Sequence, residues 1–201
     1  GYAHVPEALD QGKGVILALP HLGGGEWAGR WLAARGHGLT AVVEQIEPPE
    51  LFDWFAELRN KLGMNIVSLG PTAGREVLAA LKRNDVVCLL SDRDIQRTGI
   101  EVEFFGETTT IPAGPATLSL RTGAPILPTA VYFTSRTDGH LGIVRPPLDI
   151  SRSGEGLRSD VQRVSQALAD ELEYLIKRAP NQWHLFQPNW PSDPGYESSP
   201  G

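Results

Sequence analysis

The stretch "GVILALPHLGGGEWAGRWLAARG", residues 14–36, predicts a strand, a turn and a helix in direct succession. The apolar run at 14–20 is typical of a buried strand. Three glycines interrupt it, and residues 26–36 then have helical spacing and end on a glycine. A buried strand that enters a helix in this way is the repeating unit of an α/β domain.

The same alternation continues along the chain. We predict further strands at 39–45, 65–70, 85–92, 124–133 and 140–150, and helices at 48–63, 73–85, 112–123 and 159–180. The loop at 93–110 has room for a short hairpin. The pattern predicts one α/β domain over residues 1–191, with a central mixed, mostly parallel sheet flanked by helices. Residues 192–201 are rich in Pro, Ser and Gly and are expected to form a disordered tail.

The long helix predicted near the C-terminal end is amphipathic. Ser159 is its expected N-cap. Its apolar stripe consists of Val161, Val164, Leu168, Leu172 and Leu175. This helix should therefore cover one face of the sheet.

Composition limits the classes of function. With 18 Lys and Arg against 24 Asp and Glu, the formal charge of −6 gives no overall basic field for nucleic acid. The single cysteine, Cys88, excludes an internal disulfide. The apolar runs are shorter than the roughly 20 residues that a membrane-spanning helix needs, and the first residues have no signal-peptide pattern. The five histidines lack metal-binding spacing, so we expect no metal.

The glycine turn carries the first candidates for chemistry. His21 stands at the predicted carboxyl end of a strand, where open α/β sheets place their sites. The glycines at 23–25 would expose backbone N–H groups and allow a substrate to approach closely. Glu26 would lie in the first helical turn, near enough to orient the imidazole as a general base. The ordinary alternative is a capping histidine followed by a glutamate that interacts with the helix dipole.

Two further acids also follow predicted strands. Asp92 ends the strand at 85–92 and is followed by Arg93, whereas Glu44 ends the strand at 39–45. Arg59 lies on the next helix and could bind a phosphate or one of these acids. The alternatives are a salt-bridged turn for Asp92 and solvated surface positions for Glu44 and Arg59. Three carboxylates at three strand ends favour a common site more than any one of them does.

A serine hydrolase was a second interpretation, because "HLGGG" is similar to the oxyanion segment of some lipases. That mechanism needs a G-x-S-x-G elbow, and the nearest match, "GPTAG" at 70–74, has threonine at the nucleophile position. With no evident serine or cysteine nucleophile, direct transfer between two bound substrates fits better than a covalent intermediate.

Four blocks of the sequence are long enough to compare with known families. They are "PHLGGGEWAG", "AVVEQIEPPELFDWFAELRNKLG", "LLSDRDIQRTGIEVEFFGETTTIPAGPATLSLRTGAPILP" and "QWHLFQPNW". These blocks resemble the bacterial lysophospholipid/lipid A-type acyltransferases, and within that family the actinobacterial members that acylate phosphatidylinositol mannosides. The resemblance extends from about residue 10 to residue 191. Family members usually have a helical N-terminal region before this point, and we expect that region to be missing from this sequence.

The resemblance implies roles for individual residues. His21 would be the base of an H-x4-D/E motif, Glu26 its acidic end, and Asp92 the acid that pairs with the histidine in close relatives. The sequence has Glu at 26 where relatives often have Asp, and Asp at 92 where the closest relatives have Glu, so which acid orients His21 stays open. The expected substrate-binding residues are Glu44, Arg59, Arg93, Gly23, Gly24 and Gly25.

The implied reaction is transfer of a fatty acyl group from acyl-CoA, a co-substrate and not a cofactor, to a hydroxyl of a membrane glycolipid. The implied location is the cytoplasmic face of the cell membrane, as a peripheral protein. Trp27, Trp31 and the "FDWF" segment are candidates for an acyl tunnel, although core packing is the ordinary role of such residues. Alternatives are lipid A-type secondary acylation, acyl-CoA thioester hydrolysis, and a non-catalytic acyl-CoA- or lipid-binding protein.

Overall fold

The computed structural model describes residues 1–196. Its strands are β1 Val15–Leu19, β2 Leu39–Val43, β3 Met64–Ser68, β4 Val86–Leu90, β5 Ile100–Phe104, β6 Glu107–Ile111, β7 Ile126–Phe133 and β8 His140–Val144. Its helices are α1 His4–Leu9, α2 Gly25–Ala34, α3 Pro49–Lys61, α4 Ala73–Lys82, α5 Gly114–Thr122 and α6 Leu157–Lys177, and a short 3-10 helix spans Pro180–Gln182.

Six strands form the central sheet in the order β3-β2-β4-β1-β7-β8. The first five are parallel to one another, and β8 runs antiparallel to β7 at one edge. Helices connect the parallel strands, as right-handed crossovers require. The prediction of an α/β domain with a mixed, mostly parallel sheet flanked by helices is confirmed.

One face of the sheet is covered by α4, α5 and α6, and we call it the packed face. Nine of the 21 residues of α6 are buried, including the predicted stripe from Val161 to Leu175. They pack with sheet residues such as Ile16 and Val87, both fully buried. Burial of so many large apolar side chains makes this layer the main source of hydrophobic stabilisation.

The opposite face carries α1, α2 and α3, and we call it the open face. A smaller buried cluster joins Val5 of α1 and Leu32 of α2 to sheet residues such as Leu17. None of the 13 residues of α3, all of them described, is buried. This face is therefore less completely covered than the packed face.

The structure differs from the predictions at several local points. Helix α1 was not predicted, because six residues are too short to show a helical period. The prediction that Ser159 is the N-cap of α6 is wrong, because the helix begins at Leu157 after Gly156. The Ser159 hydroxyl donates a hydrogen bond to the Glu155 carboxylate. The hairpin expected within 93–110 exists as β5 and β6.

Two sequence-based expectations concern the chain end and the membrane. Of the tail expected at 192–201, residues 197–201 lie outside the described residues, while Ser192 donates two hydrogen bonds to Glu107. Within residues 1–196, none of the helices combines the length and hydropathy needed to cross a bilayer.

Candidate active site

The register of two neighbouring strands brings His21 and Asp92 together. Strands β1 and β4 pair in parallel, with Leu19 opposite Leu90. His21 and Asp92 each follow two residues later, so they leave the same edge of the sheet at the same level. His21 Nδ1 lies 2.6 Å from Asp92 Oδ1. Since a carboxylate only accepts hydrogen bonds, Nδ1 carries the proton and Nε2 keeps a free lone pair.

The Asp92 carboxylate is fully buried and has three N–H donors. Besides the imidazole, the backbone N–H of His21 donates to Oδ2 over 2.9 Å, and the indole Nε1–H of Trp183 donates to Oδ2 over 2.8 Å. These donors compensate for the loss of water around the charge and fix the plane of the carboxylate. The His21 side chain keeps 25% of its surface exposed, so solutes can reach the ring.

The glycine turn is shaped by close backbone contacts. Gly23 has a φ of 60°, and a Cβ there would lie 1.9 Å from the carbonyl oxygen of Val131. A Cβ at Gly24 would lie 2.5 Å from the ring of His140. Gly23 therefore requires glycine, whereas a side chain at Gly24 would require the His140 ring to move.

Two glycine amides that were expected to face a substrate are used inside the protein. Gly23 N–H donates to Gln182 O over 3.0 Å, and Gly24 N–H donates to Val131 O over 3.2 Å. The expectation that the whole glycine segment offers free donors is therefore wrong for these two. The amides of Gly25 and Glu26 open α2, where the first-turn N–H groups have no partner within the helix.

Glu26 bonds to Arg59 and does not orient the imidazole. Arg59 Nε lies 2.9 and 3.0 Å from the two carboxylate oxygens of Glu26, and its Nη2 also donates to Oε1. This ion pair joins the start of α2 to the last turn of α3. The acid that contacts the His21 ring is therefore Asp92, and Glu26 and Arg59 line the same cavity as His21.

The remaining predicted polar residues form a second pair beside the site. Glu44 follows β2, and its carboxylate lies 3.5 Å from Nη1 of Arg93. Glu44 is 45% exposed, so this pair lies near solvent and adds little to stability. The next acid, Asp94, accepts hydrogen bonds from Gly99 N and Thr110 Oγ1 and so shapes its own loop.

A cavity of about 980 Å³ opens at His21 and extends over the open face beneath α2. Its floor follows the strand register, because Leu17, Cys88, Ala41 and Ile66 lie in one row across β1, β4, β2 and β3. A second row towards the strand ends includes Leu19, Leu90 and Val43. Such a volume with an apolar lining is typical of a small-molecule or lipid site.

Two of the aromatic residues proposed for an acyl tunnel line this cavity, and their role there stays a prediction. Trp27 and Trp31 line it from α2, and both are also partly exposed to solvent. Trp54, from the "FDWF" segment, is 57% exposed and is not part of the lining. Cys88 faces the cavity floor, and burial raises the pKa of its thiol to about 12.

Sequence reasoning missed the segment 182–184, which crosses the site. His184 N–H donates to the backbone O of His21 over 2.7 Å, and Trp183 contacts Asp92 as described. Its only sequence signal was the aromatic block "QWHLFQPNW", whose contacts are too distant along the chain to be read from spacing. Within the described residues, no group of three His, Cys, Asp or Glu side chains is arranged to hold a metal ion.

Several known proteins are similar to this chain in sequence. A family model described as bacterial lipid A biosynthesis acyltransferase matches residues 1–192. The chain is 43% identical over 196 residues to a phosphatidylinositol mannoside acyltransferase of Mycobacterium tuberculosis. The aligned residues make up 96% of this chain and 60% of that protein. The corresponding protein of Mycolicibacterium smegmatis is 42% identical over 193 residues, or 94% of this chain and 61% of that one.

A more distant relative is a lipid A biosynthesis acyltransferase of Haemophilus influenzae, 21% identical over 184 residues, with 91% of this chain and 55% of that protein covered. The chain spans about 60% of the length of the mycobacterial relatives. Because the family model matches almost the whole chain, the protein belongs to the bacterial lipid A biosynthesis acyltransferase family.

Proposed function

We propose that this chain catalyses transfer of a fatty acyl group from acyl-CoA to a hydroxyl of a membrane glycolipid, most suitably a phosphatidylinositol mannoside. The observation that carries the proposal is the His21–Asp92 pair at the opening of a large apolar cavity. The mycobacterial relatives, at 43% and 42% identity, support the choice of acceptor.

His21 acts as general base in this mechanism. Its Nδ1–H is held by Asp92, so Nε2 takes the proton from the acceptor hydroxyl while the hydroxyl oxygen attacks the thioester carbonyl. The tetrahedral intermediate then collapses, the C–S bond breaks, and the CoA sulfur leaves with the proton returned by His21. Asp92 stabilises the imidazolium that exists between these two transfers.

The negative charge that develops on the carbonyl oxygen needs donors. We assign this role to the N–H groups of Gly25 and Glu26 at the start of α2, since those of Gly23 and Gly24 are already bonded. The helix dipole adds to their effect. In related acyl transfers one such donor contributes about 3 kcal/mol.

The cavity beneath α2 receives the acyl chain. Its floor of Leu17, Ala41, Cys88 and Ile66 offers only apolar contacts, as a methylene chain requires. Each CH₂ transferred from water gains about 0.8 kcal/mol. The Glu26–Arg59 pair at the lining is placed to contact the polar part of a substrate.

The protein works as a peripheral membrane enzyme on the cytoplasmic face in this proposal. Trp27, which lines the cavity, is 59% exposed, and Trp54 on α3 is 57% exposed, so two aromatic side chains that suit a bilayer interface are open to solvent. A glycolipid acceptor could then reach His21 without leaving the membrane surface.

The test measures the release of CoA from palmitoyl-CoA by thiol titration, with and without phosphatidylinositol mannoside acceptors. The proposal predicts release that the acceptor stimulates and that His21→Ala lowers by about 10² to 10⁴. Release that needs His21 but ignores the acceptor would identify a thioesterase. Binding of palmitoyl-CoA without release of CoA would identify a non-catalytic binding protein. Activity with acyl-carrier-protein thioesters but not with acyl-CoA would show that the proposed donor is wrong.

Two carboxylate variants serve as a matched pair in the same assay. Asp92→Asn removes the acid that contacts His21, and we expect kcat/KM to fall by about 10³ or more. Glu26→Gln breaks the ion pair with Arg59, and we expect it to lower kcat/KM by less than about tenfold. Equal losses in the two variants would contradict the assignment of Asp92 as the orienting acid.

A further inference from the structure

We propose that Trp183 is a positioning residue that sets the basicity of His21 by holding the Asp92 carboxylate in one orientation and dispersing its charge. The inference rests on the proposed role of His21 as general base. It concerns a residue that touches neither the reacting atoms nor the cavity lining and that acts through Asp92.

The segment that carries Trp183 is bound directly to the turn that carries His21. Gln182 O accepts from Gly23 N–H at 3.0 Å, and His184 N–H donates to His21 O at 2.7 Å. An isolated antiparallel bridge joins Trp183 to Leu22 between these two bonds. The backbone of the segment and that of the turn therefore move as one unit, and the indole is held against Asp92.

The two oxygens of Asp92 have separate partners. Among the described residues 1–196, Oδ1 accepts only from the imidazole, at 2.6 Å, whereas Oδ2 accepts from the backbone N–H of His21 at 2.9 Å and from the indole N–H of Trp183 at 2.8 Å. With Oδ2 held by two neutral donors, the carboxylate cannot rotate, and Oδ1 stays aimed at Nδ1. Within this part of the chain, Trp183 supplies the one side-chain donor on Oδ2.

The indole N–H also controls how strongly Asp92 attracts a proton. A neutral donor stabilises the ionised carboxylate and disperses its charge. Removing the donor from a fully buried carboxylate concentrates charge on the group that faces His21, which stabilises the imidazolium. Removal of the indole N–H should therefore strengthen the interaction between the Asp92 carboxylate and the protonated His21 ring.

Other charged or titratable groups line the same cavity as His21. They are Glu26 and Arg30 of α2, Arg59 of α3, Asp138, His140 at the start of β8, and His184. None of them is altered when Trp183 is replaced by Phe. A change in the titration of His21 in that variant is therefore attributable to the Trp183–Asp92 contact.

The aromatic surroundings of Trp183 provide a matched control. Its ring stacks on Phe105 at 5.6 Å and lies 6.0 Å from Trp190 in the same cluster. Trp190 also donates its indole N–H, but to the carbonyl of Phe104 at 2.9 Å and not to Asp92. Trp190→Phe therefore removes an indole hydrogen bond from the same cluster while leaving the Asp92 contacts intact.

The experiment is an NMR titration of the His21 ring in the full chain, for wild type, Trp183→Phe and Trp190→Phe. We expect the His21 midpoint to rise by about half a unit to one unit in Trp183→Phe and to stay within 0.2 units, about the error of a fit, in Trp190→Phe. The acid limb of the kcat/KM profile for palmitoyl-CoA should move to higher pH by the same amount. An unchanged midpoint in Trp183→Phe, or equal shifts in both variants, would overturn the inference.

Two further measurements test the inference if Trp183→Phe fails to fold or changes the structure more widely. In the wild type, the indole N–H resonance of Trp183 should shift with the midpoint of His21 because the two share Asp92, and that of Trp190 should not. In an Asp92→Asn background, Trp183→Phe should leave the His21 midpoint unchanged, since the effect acts through the carboxylate. If the chemical shift of the Trp183 indole N–H does not change during the His21 titration, the inference is also refuted.

These readouts separate the inference from the proposed function. The NMR titrations need no turnover, so absence of acyl transfer would reject the function alone. Normal transfer with a His21 midpoint that does not respond to Trp183→Phe would reject the positioning role alone.

Discussion

The two faces of the central sheet are built differently. On the packed face, α6 buries nine of its 21 residues and contacts the hairpin, α5 and β7. On the open face, α3 has 13 residues of which none is buried, and a cavity of about 980 Å³ lies between part of α2 and the strands. Both faces are lined by apolar side chains from the same strands, so hydrophobicity alone does not distinguish them.

The difference supports the proposal that stability and ligand binding depend on opposite sides of one sheet. Protein interiors are normally close-packed, so a large apolar cavity is costly unless something fills it. The cavity opens beside His21, where the strand ends also supply Asp92. The packed face stabilises the strands, and under the proposed function the cavity on the open face receives the acyl chain.

The largest expected contrast in stability is between leucines on the two sides. Leu172 of α6 is fully buried, with 0% of its surface accessible to water, whereas Leu58 of α3 is 40% accessible. We expect Leu172→Ala to lower the free energy of unfolding by about 2 to 5 kcal/mol and Leu58→Ala to change it by less than about 1 kcal/mol. Urea unfolding of the two variants measures both values. Similar losses would show that α3 is packed as tightly as α6.

A sharper comparison uses consecutive residues of β4. Val87 points into the packed face, and Cys88 points into the cavity. Val87→Phe should overpack a filled core and destabilise the protein by about 1 to 3 kcal/mol. Cys88→Phe should have a smaller effect, because the added ring enters open space. Thermal unfolding compares the two directly, and a larger loss for Cys88→Phe would mean that the cavity is closed in solution.

The smallest expected effect concerns pH at the start of α6. The backbone N–H of Ser153 donates to Asp160 and, with Arg152 as a weaker contributor, holds the pKa of this carboxyl below its usual range. A lowered folded pKa means that Asp160 stabilises the fold at neutral pH and that this contribution is lost as the pH falls through that lowered value. The difference in urea midpoint between wild type and Asp160→Asn should therefore shrink between pH 7 and pH 3. A difference that grows on acidification would contradict the sign.

Much of the fold could be predicted because the relevant signals are local. The strands and the five longer helices follow from apolar periodicity, and the stripe from Val161 to Leu175 identified the covering face of α6. Helix α1 was missed because six residues show no period. Ser159 was assigned as N-cap from residue type alone, but the helix starts two residues earlier at Leu157.

The candidate site was only partly predictable. His21 and Asp92 were found because both follow buried parallel strands, and the register of β1 and β4 then decides between Asp92 and Glu26 as the acid beside the ring. No spacing rule predicts that Glu26 would bond to Arg59, 33 residues away. Trp183 lies 91 residues from Asp92, so its contact depends on how the chain returns to the site.

The most direct test of the account is the acyl-chain-length profile of transfer by wild type and Cys88→Phe. If the open-face cavity holds the acyl chain, Cys88→Phe should lose kcat/KM by about tenfold or more for long-chain acyl-CoA and retain nearly normal values for short-chain acyl-CoA, since each methylene excluded from an apolar site costs about 0.8 kcal/mol. The His21–Asp92 pair is unchanged in this variant, so the short-chain rate controls for the chemistry. An unchanged profile, or equal losses at every chain length, would contradict the assignment of the cavity.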